Sequence, residues 1–275
     1  MTTPSFVNVS AEAGTGFGTS LQPSAPASMV AGNLLLCLVF APTGSDPDFS
    51  FPSPWTQIEA VNNSGNLNIV IAAAICTGSG MAMPTITWSS YTSAHSYVFQ
   101  YSGNLTTLPA AVGNSNSAQD GSDSSTGTNP GMASSANDSL IVSFFVGDAS
   151  GPSGTPTSYT SELATTYDNV EVADYAVATQ GNSSPAISTA LSSGTQWITA
   201  QIEVCSEVGG PPTITADPVI TTLRAPTQVL EATTTPVGAI TTTLKSLAQQ
   251  ADVTVSGEPT PPPNRAGSRR IFIIS

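Results

Sequence analysis

"NLLLCLVF" (residues 33–40) is the stretch that decides the fold. Every residue after Asn33 is apolar, so a strand built from this stretch would be buried on both faces, as central strands are. "SLIVSFFV" (residues 139–146) has nearly the same character, interrupted only by Ser139 and Ser143. We therefore expect both stretches to be central strands of an antiparallel β-sandwich.

Further strand-like runs are separated by clusters of Gly, Pro, Ser and Asn, which are turn-forming residues. These runs cover residues 67–76, 85–88, 96–101, 172–179 and 197–204. In the last run the apolar residues alternate with Thr199, Gln201 and Glu203, which predicts one buried face and one solvent-facing face. Helical periodicity is confined to residues 240–251, where a short helix is expected. The fold class is therefore all-β.

Two segments without strand character organise the chain. Residues 112–138 are rich in Ser, Gly and Asn and are predicted to be a long loop. The "GGPP" within residues 206–218 predicts the end of the last strand and a domain edge. We thus expect a sandwich body over residues 1–208. Residues 209–275 are expected to form an extended Thr- and Pro-rich arm.

Charge is distributed very unevenly along the chain. Residues 1–210 contain fourteen Asp and Glu but no Lys or Arg, whereas residues 211–275 contain four acids and five bases. Nucleic acids and anionic membranes both require clustered Lys and Arg, so neither is an expected partner of the body. No apolar run approaches the roughly 20 residues that span a bilayer, and no signal peptide is expected. Cys37 and Cys76 are predicted to be core thiols.

Residue patterns for catalysis are weak. His95 is the only histidine and has no nucleophile-elbow motif around it, so a hydrogen-bonded structural histidine is expected. Glu171 and Asp174 would point to opposite faces of a regular strand, and Glu203 has no acidic neighbour two residues away, which disfavours a glycosidase pair. Lys245 lies outside any phosphate-binding loop. We expect no enzymatic activity and no cofactor.

Two kinds of ligand site are compatible with the sequence. Asp46, Asp48, Asp120 and Asp123 lie in turn-like stretches and are candidate calcium ligands, although solvated turn acids are the simpler interpretation. Trp88 and Tyr91 are candidate residues for stacking on a glycan, although core packing is the alternative for aromatic residues in this region.

The end of the chain is unlike the rest. "EPTPPP" predicts a stiff polyproline spacer, and the "RRIFIIS" that follows has high β-propensity. We expect residues 269–275 to form a docking strand, added to the edge of a partner sheet and steered by arginines to an acidic surface. A disordered terminus is the alternative. The docking residues are Arg265, Arg269, Arg270, Ile271, Phe272, Ile273 and Ile274.

A family resemblance covers about residues 5–205. The succession "VAGNLLLCLVF", "PSPWTQI" and "YVFQYSGN" resembles β-sandwich domains of bacteriophage virion proteins and bacterial surface proteins, which carry "GDLL", "P-x-G-W" and "Y-x-G-V" motifs. Asn33, Pro54 and Asn104 depart from those motifs. The resemblance implies a jelly-roll or concanavalin-like sandwich without catalytic residues.

These features predict a non-enzymatic structural protein of a bacteriophage particle. A capsid decoration or head-fibre protein fits them best, assembled in the host cytoplasm and exposed on the virion surface. Its expected partners are a capsid or other virion protein and further copies of itself. A tail-fibre or receptor-binding module that recognises host glycans is the alternative, and a polysaccharide-degrading enzyme is a third.

Overall fold

Each of the two doubly apolar stretches lies at the centre of its own antiparallel sheet. The computed structural model describes residues 3–41, 48–63, 67–148, 154–164 and 169–206, together with four two-residue strands further on. The chain divides into two compact units, Met1–Gly210 and Pro211–Ser275. All regular elements among the described residues are strands, so none of these residues forms an apolar helix long enough to cross a bilayer.

The first sheet is formed by the first half of the body. Its strands are β1 (Ser5–Val9), β2 (Ala13–Leu21), β3 (Leu34–Ala41), β4 (Thr56–Asn62), β5 (Asn68–Ile75) and β6 (Ile86–Ser102). The order across the sheet is β1-β6-β3-β5-β4, and β2 continues the β1 edge by pairing with the other part of β6. The strand β3 therefore lies between β6 and β5, and all of its residues are buried.

The second sheet is formed by the second half of the body. Its strands are β7 (Val112–Asn129), β8 (Ser139–Gly147), β9 (Thr160–Ala164), β10 (Val170–Val177) and β11 (Ile187–Val204). The order is β7-β11-β8-β10-β9, and the fully buried β8 lies between β11 and β10. The prediction of two central strands is confirmed for both stretches.

The two halves of the body repeat one topology. The strands β3, β4, β5 and β6 occupy the places that β8, β9, β10 and β11 take in the second sheet, and β1 with β2 corresponds to β7. The registers also agree, because Leu34 lies opposite Tyr101 in the first sheet and Leu140 lies opposite Val204 in the second. This repeat allows each interior position of one half to be compared with its equivalent in the other.

The main core lies between the two sheets. Alternate residues of β3 and β8 point into it, and they are Leu34, Leu36, Leu38, Phe40, Leu140, Val142, Phe144 and Val146. Alternation follows from the two-residue period of a strand, which sends successive side chains to opposite faces. Each such side chain contributes about 1.5–3 kcal/mol by leaving water. The all-β sandwich predicted from the sequence is thus confirmed.

The outer faces of the two sheets are covered differently. An apolar cluster with Phe49, Trp55, Met83 and Trp88 covers the first sheet. Over the second sheet, the paired ends of β7 and β11 fold back across the outer face. Ile187 packs there with Tyr159 and Ala173 in an apolar cluster.

This cover corrects one expectation for residues 197–204. The side chains of Thr199, Gln201 and Glu203 were predicted to face solvent, yet all three residues are fully buried. Asn129 Nδ2 donates to Thr199 Oγ1 at 2.7 Å, and Gln201 Nε2 donates to the Tyr159 hydroxyl at 2.9 Å. Periodicity marks the apolar face of a strand correctly, but a polar face can also be buried where hydrogen-bonding groups cover it.

The predicted loop over residues 112–138 is wrong for most of its length. Val112–Asn129 forms β7, an edge strand that pairs along β11. Its side chains are mostly exposed or half-buried, so the strand needs few apolar residues. Small polar residues are sufficient here because backbone hydrogen bonds to β11 hold the segment.

The second unit contains two short antiparallel pairs. The strand β12 (Ile220–Thr221) pairs with β13 (Leu230–Glu231), and β14 (Val253–Thr254) pairs with β15 (Arg270–Ile271). The helix expected near residues 240–251 lies outside the described residues.

Candidate functional site

The predicted docking strand is only partly described. Arg270 and Ile271 form β15, in which Ile271 lies opposite Val253 and Arg270 lies opposite Thr254. The other predicted docking residues lie outside the described residues, and they are Arg265, Arg269, Phe272, Ile273 and Ile274. The two described residues therefore adopt the extended backbone conformation that strand addition requires.

The candidate glycan residues lie on one strand. Trp88 on β6 is 5% exposed and belongs to the apolar cluster over the first sheet, where its ring meets Phe49 edge to face with centroids 5.3 Å apart. The side chain of Tyr91, also on β6, lies outside the described part of the structure. A sugar stacks on an exposed ring face, and Trp88 does not offer one.

Two shallow hollows adjoin Trp55. The larger, of about 630 Å³, is lined by Trp55, Pro54, Met81 and Met83 among others. The smaller, of about 340 Å³, includes Asp48, the only acidic residue among the described residues that line either hollow. Neither contains a pair of carboxyl groups of the kind that glycosidic chemistry uses.

The four candidate calcium ligands do not form one site among the described residues. Asp46 lies outside them, and Asp48 is exposed before β4. Asp120 and Asp123 lie on β7 rather than in a loop, and Asp120 Oδ1 accepts a hydrogen bond from the Ser122 amide at 2.8 Å. No group of three or more acidic, His or Cys side chains is gathered for a metal in the described ranges.

His95 lies within β6 and is hydrogen bonded. Its Nδ1 lies 2.5 Å from Glu12 Oε1, and its ring stacks on Phe40 with centroids 5.3 Å apart. This is the only contact between a carboxylate and a basic side chain among the described residues, because the body contains no Lys or Arg. Every buried carboxyl group of the body must therefore be stabilised by other means.

Glu203 shows one such means. Its carboxylate accepts hydrogen bonds from the Ser135 and Ser139 hydroxyls at 2.7 and 2.6 Å and from the Asn114 amide at 2.9 Å. Burial alone would raise the pKa of Glu203, but these hydrogen bonds outweigh burial and lower it. Glu203 thus fastens the segment before β8 to the start of β7, which is a structural role.

Glu162 and Asp174 show a second way in which buried carboxyl groups are stabilised without Lys or Arg. Asp174 on β10 is 8% exposed, and its carboxyl group is hydrogen bonded to that of Glu162 on the edge strand β9. Burial raises the pKa of both groups, and the negative charge of Asp174 raises that of Glu162 further. Two adjacent carboxyl groups without a counter-ion share a proton more readily than they ionise together.

Tyr101 from the first sheet is near this pair. It is fully buried, its hydroxyl has no hydrogen-bond partner among the described residues, and Phe6 packs edge to face on its ring. Burial raises the pKa of Tyr101, and the charges of Asp174 and Glu162 raise it further. Tyr101 belongs to the first sheet, whereas Glu162 and Asp174 belong to the second.

Glu171 is a separate case on the outer face of β10. It is 4% exposed, and in the described part of the chain no group lies in ordinary hydrogen-bond geometry to either carboxyl oxygen; the Thr155 hydroxyl is close enough for a weak interaction only. Burial raises its pKa to about 7, although the nearby Thr155 hydroxyl favours the charged form. In the first sheet the equivalent position is Val70, which lies opposite Val39 as Glu171 lies opposite Phe145.

Sequence reasoning did not identify the pair of Glu162 and Asp174. It correctly placed Glu171 and Asp174 on opposite faces of one strand, but it did not include Glu162 in a strand. The available signal was the absence of Lys and Arg, since His95 is then the only basic side chain that an acid of the body could pair with.

No family model, curated protein or solved structure matches this chain.

Proposed function

We propose that the chain is a non-enzymatic structural protein of a bacteriophage particle, a capsid decoration or head-fibre protein held to the shell by its C-terminal arm. The observation that carries this proposal is the separation of charge. All five Lys and Arg lie after residue 223, and three of them lie in the last eleven residues. The body has no basic residues and the terminal segment has several, so the two parts of the chain suit partners of different charge.

The body suits exposure on a particle surface. It carries a net negative charge, and its two halves form sheets whose apolar faces are covered. Few large apolar side chains are exposed among the described residues, and they are Val7, Phe17 and Val30. Such a body remains soluble at high local concentration and repels nucleic acid.

The arm suits attachment. The sequence "RRIFIIS" combines two arginines with alternating large apolar residues, and Arg270–Ile271 is already paired as a strand. Strand addition to a partner sheet uses backbone hydrogen bonds for affinity and alternate side chains for specificity. The arginines accelerate the encounter with an acidic surface.

Electron microscopy of particles with and without this chain tests the location. The proposal expects a difference density of about the size of the body on the outside of the capsid. Density confined to the tail tip, together with binding of the protein to host glycans on an array, would instead support the receptor-binding alternative. Sugar turnover by the purified chain would revive the enzyme alternative.

A further inference from the structure

The internal repeat shows that Glu162 and Asp174 occupy apolar positions. Glu162 is the bulged residue of β9, between Ser161 and Leu163, which lie opposite Ala173 and Val172. In the first sheet, β4 has the same bulge at Ile58. Ile58 packs against the main core, so the second half holds a carboxyl group where the first half holds an apolar side chain.

Asp174 also occupies a position that is apolar in the first half. It lies opposite Val142, just as Ala73 lies opposite Leu36 in the first sheet. One repeat therefore has Ile and Ala at this pair of positions, and the other has Glu and Asp. Replacing two apolar residues by two acids is costly unless a ligand compensates for it, because burial disfavours the charged forms.

A third oxygen atom near this pair belongs to Tyr101 on β6 of the other sheet. Tyr101 is fully buried, its hydroxyl has no hydrogen-bond partner among the described residues, and the charges of both carboxyl groups act on the phenol. Among the described residues, no titratable group other than these two partners shifts the pKa of Glu162 or of Asp174. An unpaired buried hydroxyl near two carboxyl groups provides an oxygen atom that is available to coordinate a ligand.

We propose that Glu162, Asp174 and Tyr101 form a binding site for a divalent cation, of which Ca²⁺ is the best match. Hard cations prefer carboxylate and other oxygen ligands, and Ca²⁺ accepts about 6–8 of them in flexible geometry. Glu162 is only half-buried, so water completes the coordination shell from the open side. The body supplies no Lys or Arg to neutralise the pair, whereas a cation does so directly.

The bound cation would join the two sheets. Tyr101 belongs to β6 of the first sheet, whereas Glu162 and Asp174 belong to β9 and β10 of the second. Binding displaces the shared proton to solvent, so affinity increases as the pH rises. The site stabilises the body whether or not the virion role is correct.

Thermal unfolding of the full chain with Ca²⁺ or with a chelator tests the site. At pH 7.5 and a hundredfold excess over the dissociation constant, the unfolding midpoint should rise by about 5 °C. Calorimetric titration should give one ion per chain and proton release on binding. The double variant Glu162→Ile with Asp174→Ala, which copies the first half, should fold and lose the response. Asp120→Asn with Asp123→Asn is the matched control and should keep it.

A second readout does not depend on stability. Terbium, a luminescent substitute for Ca²⁺, should show emission sensitised by excitation of the Tyr101 phenol beside it. Asp174→Asn should abolish terbium binding, whereas Tyr101→Phe should reduce the sensitised emission. No midpoint shift with Ca²⁺ up to about 10 mM, well above the weakest protein sites, would overturn the proposal. A shift that the double variant retains would also overturn it.

Discussion

The rings of Phe99 and Phe144 meet edge to face with centroids 5.6 Å apart, and this contact joins the two sheets. Both side chains are fully buried. Phe144→Ala should therefore lower the free energy of unfolding by about 3–5 kcal/mol, through lost transfer energy and the cavity left behind.

Urea unfolding followed by circular dichroism measures this loss. Val30, which is 53% exposed, provides the control. Val30→Ala should change the free energy of unfolding by no more than about 0.5 kcal/mol. Equal losses in the two variants would show that Phe144 does not lie between the sheets.

The hydrogen bonds of Glu203 predict a stability that depends on its charge. Glu203→Gln should cost about 3–5 kcal/mol at pH 7, because the new amide points N–H groups at buried donors. Since folding lowers the pKa of Glu203, its contribution is complete above the unfolded pKa near 4.5 and is lost as the pH falls from there through the lower pKa of the folded protein. The difference between wild type and variant should shrink accordingly in unfolding experiments below pH 4.5.

Glu59 provides the matched control for Glu203. It accepts hydrogen bonds from Ser115 and Ser117 at an exposed site, so Glu59→Gln should cost less than about 1 kcal/mol. A Glu203→Gln variant as stable as Glu59→Gln would contradict the structural role of Glu203.

Glu171 should behave in the opposite way. Folding raises its pKa to about 7, so the charged form destabilises the native state, and stability falls as the pH rises from the unfolded pKa toward 7. Glu171→Val, which copies Val70 of the first half, should stabilise the protein by about 1–3 kcal/mol at pH 8. The gain should decline on acidification toward pH 4, as measured by urea unfolding across that range. A destabilised variant at pH 8 would indicate an unseen partner for the carboxylate.

The sequence predicts the strands that are buried on both faces better than the strands that are exposed at a sheet edge. The strands β3 and β8 were predicted correctly because they are apolar on both faces, which leaves them only a central place in a sheet. The strand β7 was missed because an edge strand with exposed faces can be built from Ser, Asn and Gly. The segment forms a strand because it pairs with β11, and the local composition of a segment does not reveal its pairing partner.

Among the residues considered for sites, the local sequence likewise predicts some placements and not others. The burial of Cys37 and Cys76 follows from the apolar strands around them, and this prediction is confirmed. The pair of Glu162 and Asp174 depends on a bulge in β9 that changes which residue points inward. A bulge shifts the register by one residue, so periodicity alone could not place Glu162 beside Asp174.

The arginines of the arm should influence the rate of attachment more than the final affinity. Arg269→Gln with Arg270→Gln should slow association with acidic particles and reduce its dependence on salt, because exposed charges are screened beyond about 10 Å at 0.1 M salt. Association rates at several salt concentrations measure this effect. Unchanged rates at low salt would exclude steering by these two residues.

The apolar positions of the arm should influence affinity at every salt concentration. Ile273→Pro removes a backbone donor from the predicted docking strand, and proline is not tolerated in a paired strand. Its binding should be weakened equally at low and high salt, in contrast to the arginine variants. Ile273→Val is the matched control and should bind almost as wild type does.

The most direct measurement is co-sedimentation of the chain with particles that lack it, comparing the full chain with a chain that ends at residue 264. If the arm attaches the chain, the shortened chain should fold, show the same β-rich circular dichroism as the full chain, and remain in the supernatant. Full incorporation of the shortened chain would contradict attachment through the arm.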